Sequence, residues 1–257
     1  MTIDVTELRD FYSKRLGVMA RRLINRGIQA RWPDAVGQRV LGLGYTTPYL
    51  GLFRNDSERC IAFMPAAQGV LKWPTARATL SALVEDRSLP LPDASVDRIL
   101  MVHSLEMSDD PDGLLREVWR VLAPSGRLMA VIPNRRGVWT RTDATPFGHG
   151  RPYSRSQITQ LLRQTWFTPA SWGEALFMPP VAGGWFLRSA MAWERVGAAL
   201  SLPFAGVHIV EATKQVYRAI PAHRERTRLI PALEPVLVPS SSVQSIAACR
   251  PGERRDP

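Results

Sequence analysis

The chain has 257 residues, 45% of them hydrophobic and 22% charged, which excludes a disordered chain or a collagen-like repeat and suits one α/β domain with additions, or two small ones. Lysine and arginine number 33 against 23 acids, for a formal charge of +10. Only Lys14, Lys72 and Lys214 are lysines; the planar arginine fork suits anionic partners, although GC-rich coding gives the same bias.

Residues 5–31 read as one amphipathic helix, with Leu8, Phe11, Tyr12, Leu16, Met19, Leu23 and Ile24 at steps of three and four. Asp4 is its N-cap, with Glu7 placed for a capping box. Its polar face holds Arg21, Arg22, Arg26 and Arg31, either a solvated face or a basic arm toward an acidic partner. Short apolar runs then read as buried strands at 39–44, 59–64 and 96–103, with a weaker one at 77–84. Asp110 and Pro111 open a helix whose apolar face includes Leu114, Leu115, Val118 and Val121. Gly126 ends it and leads into a strand at 127–132. Strands alternating with helices predict an α/β fold with a parallel sheet.

Residues 133–153 have no hydrophobic period and leave the carboxyl end of the fifth strand, where open α/β sheets bind ligands, so a lid is expected there. Ser154 and Gln157 form a capping box for a helix through Thr165. A strand at 170–177, a helix at 185–200 and a last strand at 206–217 follow. The remainder, 218–257, is rich in Pro, Ser and Arg and reads as a mobile basic tail. The expected division is therefore 1–35, 36–217 and 218–257.

Two cysteines, Cys60 and Cys249, make neither a disulfide framework nor a Cys-rich zinc site, and four scattered histidines offer no metal spacing. A reducing cytoplasm is the expected compartment. Asp4, Glu7 and Asp10 argue against a secretory signal. The longest uncharged stretches, 175–187 and 196–210, contain Pro and Gly and are shorter than the ~20 apolar residues of a spanning helix.

Two segments carry a family resemblance. Residues 89–97, LPLPDASVD, and 114–128, LLREVWRVLAPSGRL, resemble the corresponding segments of class I S-adenosylmethionine-dependent methyltransferases of the type 11 domain group. The last predicted strand is similar to the closing strand of these enzymes, and the resemblance covers about residues 36–217. It implies a Rossmann-like fold: a mostly parallel seven-stranded sheet with helices on both faces and an antiparallel last strand. It also implies S-adenosylmethionine as cofactor, held by the loop Gly42, Gly44, Tyr45, Thr46 and Thr47, by Met64 at the ribose position, by Glu85 or Asp86 near the adenine, and by His103. Three departures stand in this pattern. Gly42 replaces the usual acid, Thr46 and Pro48 replace two glycines, and Met64 replaces the ribose-binding acid. Gly42-x-Gly44-x-x-Thr47 is also similar to an incomplete dinucleotide fingerprint.

His103, Glu106, His149 and Tyr153 are the candidates for a base, needed only if the acceptor must lose a proton. Trp185, Phe186, Trp193 and Phe204 suit an apolar acceptor, or ordinary packing. The acceptor is unidentified, anionic or apolar. The alternatives are a non-catalytic module on the same fold, or a nucleic-acid-binding protein using the Arg21–Arg31 face with Arg135, Arg136, Arg141, Arg151 and Arg155, for which charge is the support and no motif.

Overall fold

The computed structural model describes residues 3–199 and 204–216; the expected tail at 218–257 and the end of the 185–200 helix lie outside them. The strands are β1 (Arg39–Gly44), β2 (Arg59–Pro65), β3 (Ser81–Val84), β4 (Val96–Val102), β5 (Leu122–Pro133), β6 (Phe167–Ala175) and β7 (Val207–Lys214). They form a seven-stranded sheet in the order β3-β2-β1-β4-β5-β7-β6. The first five strands pair in parallel, and β7 runs antiparallel between β5 and β6, as expected for the closing strand. The strand expected at 77–84 is reduced to its last four residues.

Helices α1 (Val5–Ser13) and α2 (Arg15–Gln29) replace the single N-terminal helix expected. Lys14 is extended, at φ −77° and ψ 159°, and breaks the run. The turn brings the Phe11 carbonyl against Gly17, where a Cβ would lie 2.1 Å from its oxygen, so only glycine fits there. Asp4 caps α1 by accepting from the Thr6 amide at 2.7 Å, one position before the capping-box geometry expected with Glu7. Arg31 turns inward, donating to the Gly27 and Trp172 carbonyls, and so leaves the expected basic face.

A short α3 (Thr47–Leu50) follows β1, α4 (Pro111–Val121) precedes β5, α5 (Arg155–Gln164) precedes β6 and α6 (Gly184–Ala199) precedes β7. Alternate strand residues feed two cores. One side of the sheet, including Val40, Ala62, Leu100 and Ile209, packs with Leu8, Tyr12, Leu23 and Ile24 of α1 and α2. The other, including Leu41, Ile99, Leu128 and Val210, packs with Leu114, Val118, Ile158 and Leu162 of α4 and α5. The N-terminal helices therefore share the core of the sheet.

The two motif segments clasp each other. Arg120 of α4 donates to Glu117, to Asp93 and to the Leu89 and Leu91 carbonyls. Asp97 accepts a fork from Arg39 at 2.9 Å and the Arg39 amide, joining the starts of β1 and β4. These residues work on the fold and stand at the end of the sheet away from the ligand edge.

Glu194 anchors α6 by accepting the Phe177 amide at 2.7 Å. Burial pushes its carboxyl from an ordinary 4.5 up to about 7, against the pull of the Phe177, Met178 and Leu176 amides. The folded state thus holds the proton more tightly than the unfolded chain. Its stabilisation is complete below pH 4.5 and fades as pH rises to about 7. Denaturant melts at pH 5 and pH 8 should show wild type losing up to about 3 kcal/mol relative to Glu194→Gln, which keeps the acceptor and removes the titration.

Candidate functional site

The loop after β1 is built on Gly44, whose φ of +86° and approach to Val102 leave no space for a side chain: a Cβ would lie 2.4 Å from the Val102 carbonyl oxygen. That carbonyl instead accepts the Tyr45 amide at 2.8 Å, locking the loop to the end of β4. Gly42 has a second role, since a Cβ there would lie 2.1 Å from Thr46 Oγ1. Thr46 thus lies close over Gly42, and the residue that departs from the glycine pattern is fully buried.

His103 follows β4 with φ +51°, a conformation uncommon outside glycine and concentrated at functional sites. The Gln68 side-chain amide donates to its carbonyl and helps hold it there. Tyr49 O–H donates to the Tyr12 hydroxyl at 2.9 Å, and the Tyr12 hydroxyl lies 2.9 Å from His103 Nε2. On the far side of the ring, Nδ1 lies 3.3 Å from Glu106 Oε1, with both side chains 1% exposed. The directions close if Tyr12 donates to Nε2 and the ring proton sits on Nδ1, facing Glu106. Burial, then neighbouring Tyr49, raises the Tyr12 phenol well above its ordinary range; burial alone dominates at Tyr49. Tyr45 stacks on Tyr12 at 5.5 Å, and burial pushes its phenol to about 12. Phe147 closes on the His103 ring at 5.0 Å.

Several buried polar atoms around this edge have no hydrogen-bond partner among the described residues: Thr46 Oγ1, Asp86 Oδ1, His103 Nδ1, Ser104 Oγ and both Glu106 carboxylate oxygens. At 3.3 Å, His103 Nδ1 and Glu106 are close without being aligned. An unsatisfied buried acceptor costs about 1–3 kcal/mol, so such a group invites a ligand or a proton. Burial, then neighbouring Glu85, holds the Asp86 carboxyl above the usual range; Glu85 itself is exposed. Met64, next to last in β2, is 1% exposed, with its sulfur 3.3 Å from the Leu71 amide.

Of the four candidate bases, the structure brings His103 and Glu106 together. His149 lies apart, Nε2 being 3.1 Å from the Asp143 carbonyl, in a 720 Å³ cleft between α1 and residues 143–149. Tyr153 packs with the α4 and α5 core, and burial, then Glu106, raises its phenol. Residues 133–153 are packed against the body: Trp139 is buried and donates to the Met178 carbonyl at 2.7 Å. Arg155 lies over the Trp172 ring at 4.7 Å, so it belongs to packing as well as to charge. Tyr12, Tyr49 and Gln68 were absent from the sequence-derived site. Tyr12 is 91 positions from His103 and sat among the ordinary core residues of a helix pattern. Among the described residues, no group of three or more His, Cys, Asp or Glu could hold a metal ion.

This sheet order, with β7 antiparallel between β5 and β6, is that of the class I methyltransferase fold. Residues 26–130 of the chain match a family described as a methyltransferase domain. It is 31% identical over 134 residues to a "Probable S-adenosylmethionine-dependent methyltransferase" of Mycolicibacterium smegmatis, covering 51% of this chain and 44% of the relative. A protein of the same description from Mycobacterium tuberculosis is 37% identical over 93 residues, 35% of this chain and 32% of the relative. The chain thus spans less than half the length of these curated relatives. In fold it is similar to a SAM-dependent methyltransferase structure from Thermotoga maritima, with a TM-score of 0.57 at 19% identity over 82% of this chain and 96% of that one.

At the positions that the sequence resemblance assigns to the cofactor, the two ends carry groups suited to it and the middle departs. Gly44 offers a cradle with no Cβ, and half-buried Asp86, whose carboxyl also bonds Ser108, offers one buried oxygen, Oδ1, without a partner. Met64, at the position the resemblance gives to the ribose, has no strong acceptor.

Proposed function

We propose that the chain is an S-adenosylmethionine-dependent methyltransferase acting on an unidentified acceptor. The observation that carries this reading is the set of buried, unpartnered polar atoms at the carboxyl edge of a methyltransferase-type sheet, from Asp86 after β3 to Ser104 and Glu106 after β4. Gly42, Gly44, Tyr45, Thr46 and Thr47 would hold the methionine end, Met64 would meet the ribose by apolar contact, and Glu85 or Asp86 would meet the adenine. Bound there, the cofactor supplies a methyl group already activated on its sulfonium.

The chain's own contribution is alignment, exclusion of water and, where the acceptor must lose a proton, a base. His103 is the best-placed base: Glu106 lies at Nδ1, and Nε2 already faces a hydroxyl, that of Tyr12. An acceptor hydroxyl or amine would take Tyr12's position at Nε2. Met64 and the Tyr12–Tyr45 stack favour a second reading, in which the fold persists as a non-catalytic binding module. The described residues include no helix long and apolar enough to cross a membrane. We place the protein in the cytoplasm on its two-cysteine composition.

Titration calorimetry with S-adenosylmethionine and S-adenosylhomocysteine tests the reading. Wild type should bind both, and Asp86→Asn should weaken binding by about fivefold to tenfold, the worth of one hydrogen bond. No heat at millimolar ligand from folded wild type would overturn it.

A further inference from the structure

Helix α6 turns apolar side chains outward. Trp185 is 68% exposed, Val196 51% and Trp193 39%. At 100° per residue these three fall with Ala192 and Ala199 on one side of the helix, and Arg188 and Arg195 border that stripe. All of Arg188, Ala192, Arg195 and Ala199 are exposed. The opposite side is the one that meets the protein: Ala190 and Gly197 are buried there, and Glu194 is turned in to the Phe177 amide. A surface helix normally places its apolar stripe inward, so α6 carries a second stripe that the described residues do not cover.

The neighbouring surface is basic. Helix α2 packs beside α6, and Arg26 Nη1 lies 3.0 Å from Met191 Sδ. Arg22 and Arg26 are exposed on one side of α2, and the sequence of α2 contains no acid. Among the described residues, none of Arg22, Arg26, Arg188 and Arg195 has an ion-pair partner. The sole acid in α6 is Glu194, already occupied as a backbone acceptor.

We propose that the α6–α2 face is a docking surface for an anionic lipid bilayer, with Trp185, Trp193 and Val196 entering the interface and the four arginines meeting the headgroups. Exposed indoles beside arginines, on a helix too short to span, are the composition that lies in a membrane surface. Charge selects an anionic bilayer over a neutral one. A single-stranded nucleic acid would also stack on the indoles and meet the arginines, but Ala192, Val196 and Ala199, aliphatic and exposed on the same stripe, favour a bilayer. The one hydroxyl on this stripe, Ser189, is bonded to the Trp185 and Phe186 carbonyls of its own helix. The proposal is independent of whether the cofactor binds.

The test is co-sedimentation of the full chain with vesicles of phosphatidylcholine alone or with a third phosphatidylglycerol. Binding should require phosphatidylglycerol and weaken with salt. Trp185→Ser with Trp193→Ser should weaken it about tenfold with the protein still folded by circular dichroism, since neither ring is among the buried core residues. Arg188→Gln with Arg195→Gln should lower the preference for anionic vesicles by a similar factor. No binding at low salt would overturn the proposal. So would anionic binding indifferent to the tryptophan pair, or retention of RNA in place of vesicles with the same arginine dependence.

Discussion

Replacing Gly44 with alanine is expected to cost about 3 kcal/mol and to lower the melting temperature by roughly 10 °C. Two effects add. The φ of +86° is one that a Cβ-bearing residue enters at a cost of about 1–2 kcal/mol. The Cβ would also stand 2.4 Å from the Val102 carbonyl oxygen and 2.8 Å from Ser104 Cβ. Neither neighbour is the free end of a flexible side chain, so the β1 loop must move, at about 1–3 kcal/mol for overpacking. Moving it breaks the Tyr45 amide bond to Val102, which sets the loop against β4. Gly51→Ala is the control. Gly51 lies at φ −56° with nothing within 4 Å of its Cβ position, so alanine there should be neutral or slightly stabilising. Equal losses in the two variants would mean that the loop tolerates a side chain at Gly44.

The parts of the fold legible in the sequence are those whose physics is local. Buried strands read as short apolar runs because both faces of the parallel sheet are covered. The α4 and α5 caps read from Asp110, Pro111, Ser154 and Gln157 because a cap lies within four residues of what it satisfies. The break at Lys14 was not legible. Gly17 is an ordinary interior glycine in the pattern, and its meaning lies in a Phe11 carbonyl that reaches it only after the chain has turned. The site divides the same way. The family-like segments marked the carboxyl edge and led to His103 and Glu106. The hydroxyls facing His103 come from α1 and α3, through contacts 91 and 37 positions apart in the chain, and no spacing rule links them. Positive φ at His103 is likewise invisible in sequence, since only tertiary contacts such as the Gln68 amide make it tolerable.

Met64→Asp should tighten S-adenosylhomocysteine binding about fivefold to thirtyfold, the equivalent of about 1–2 kcal/mol, while lowering the stability of the free protein. Met64, next to last in β2, is 1% exposed, and its sulfur faces the Leu71 amide. One oxygen of an aspartate there could accept that amide, leaving the other for a ribose hydroxyl. Without ligand the same carboxylate is buried and the methionine's volume is lost, so the free protein should lose about 2–4 kcal/mol. Ligand should then raise the variant's melting temperature more than wild type's. Adenosine and adenine separate the cause, because a gain arising at the ribose appears with adenosine and vanishes with adenine. Tightening confined to adenosine and the cofactor pair would establish that the ribose meets residue 64 and that wild type binds it there without an acid. If wild type is silent, Met64→Asp with Thr46→Gly becomes decisive, since Thr46 lies over the one glycine whose Cβ position is 2.1 Å from its hydroxyl. Binding recovered in that variant would mark a pocket intact in shape and short only of contacts. A folded variant that stays silent would mean that Tyr12, Tyr45 and Tyr49 fill the space themselves, with the hydroxyl chain to His103 acting as core, and the methyltransferase reading would give way to the binding module.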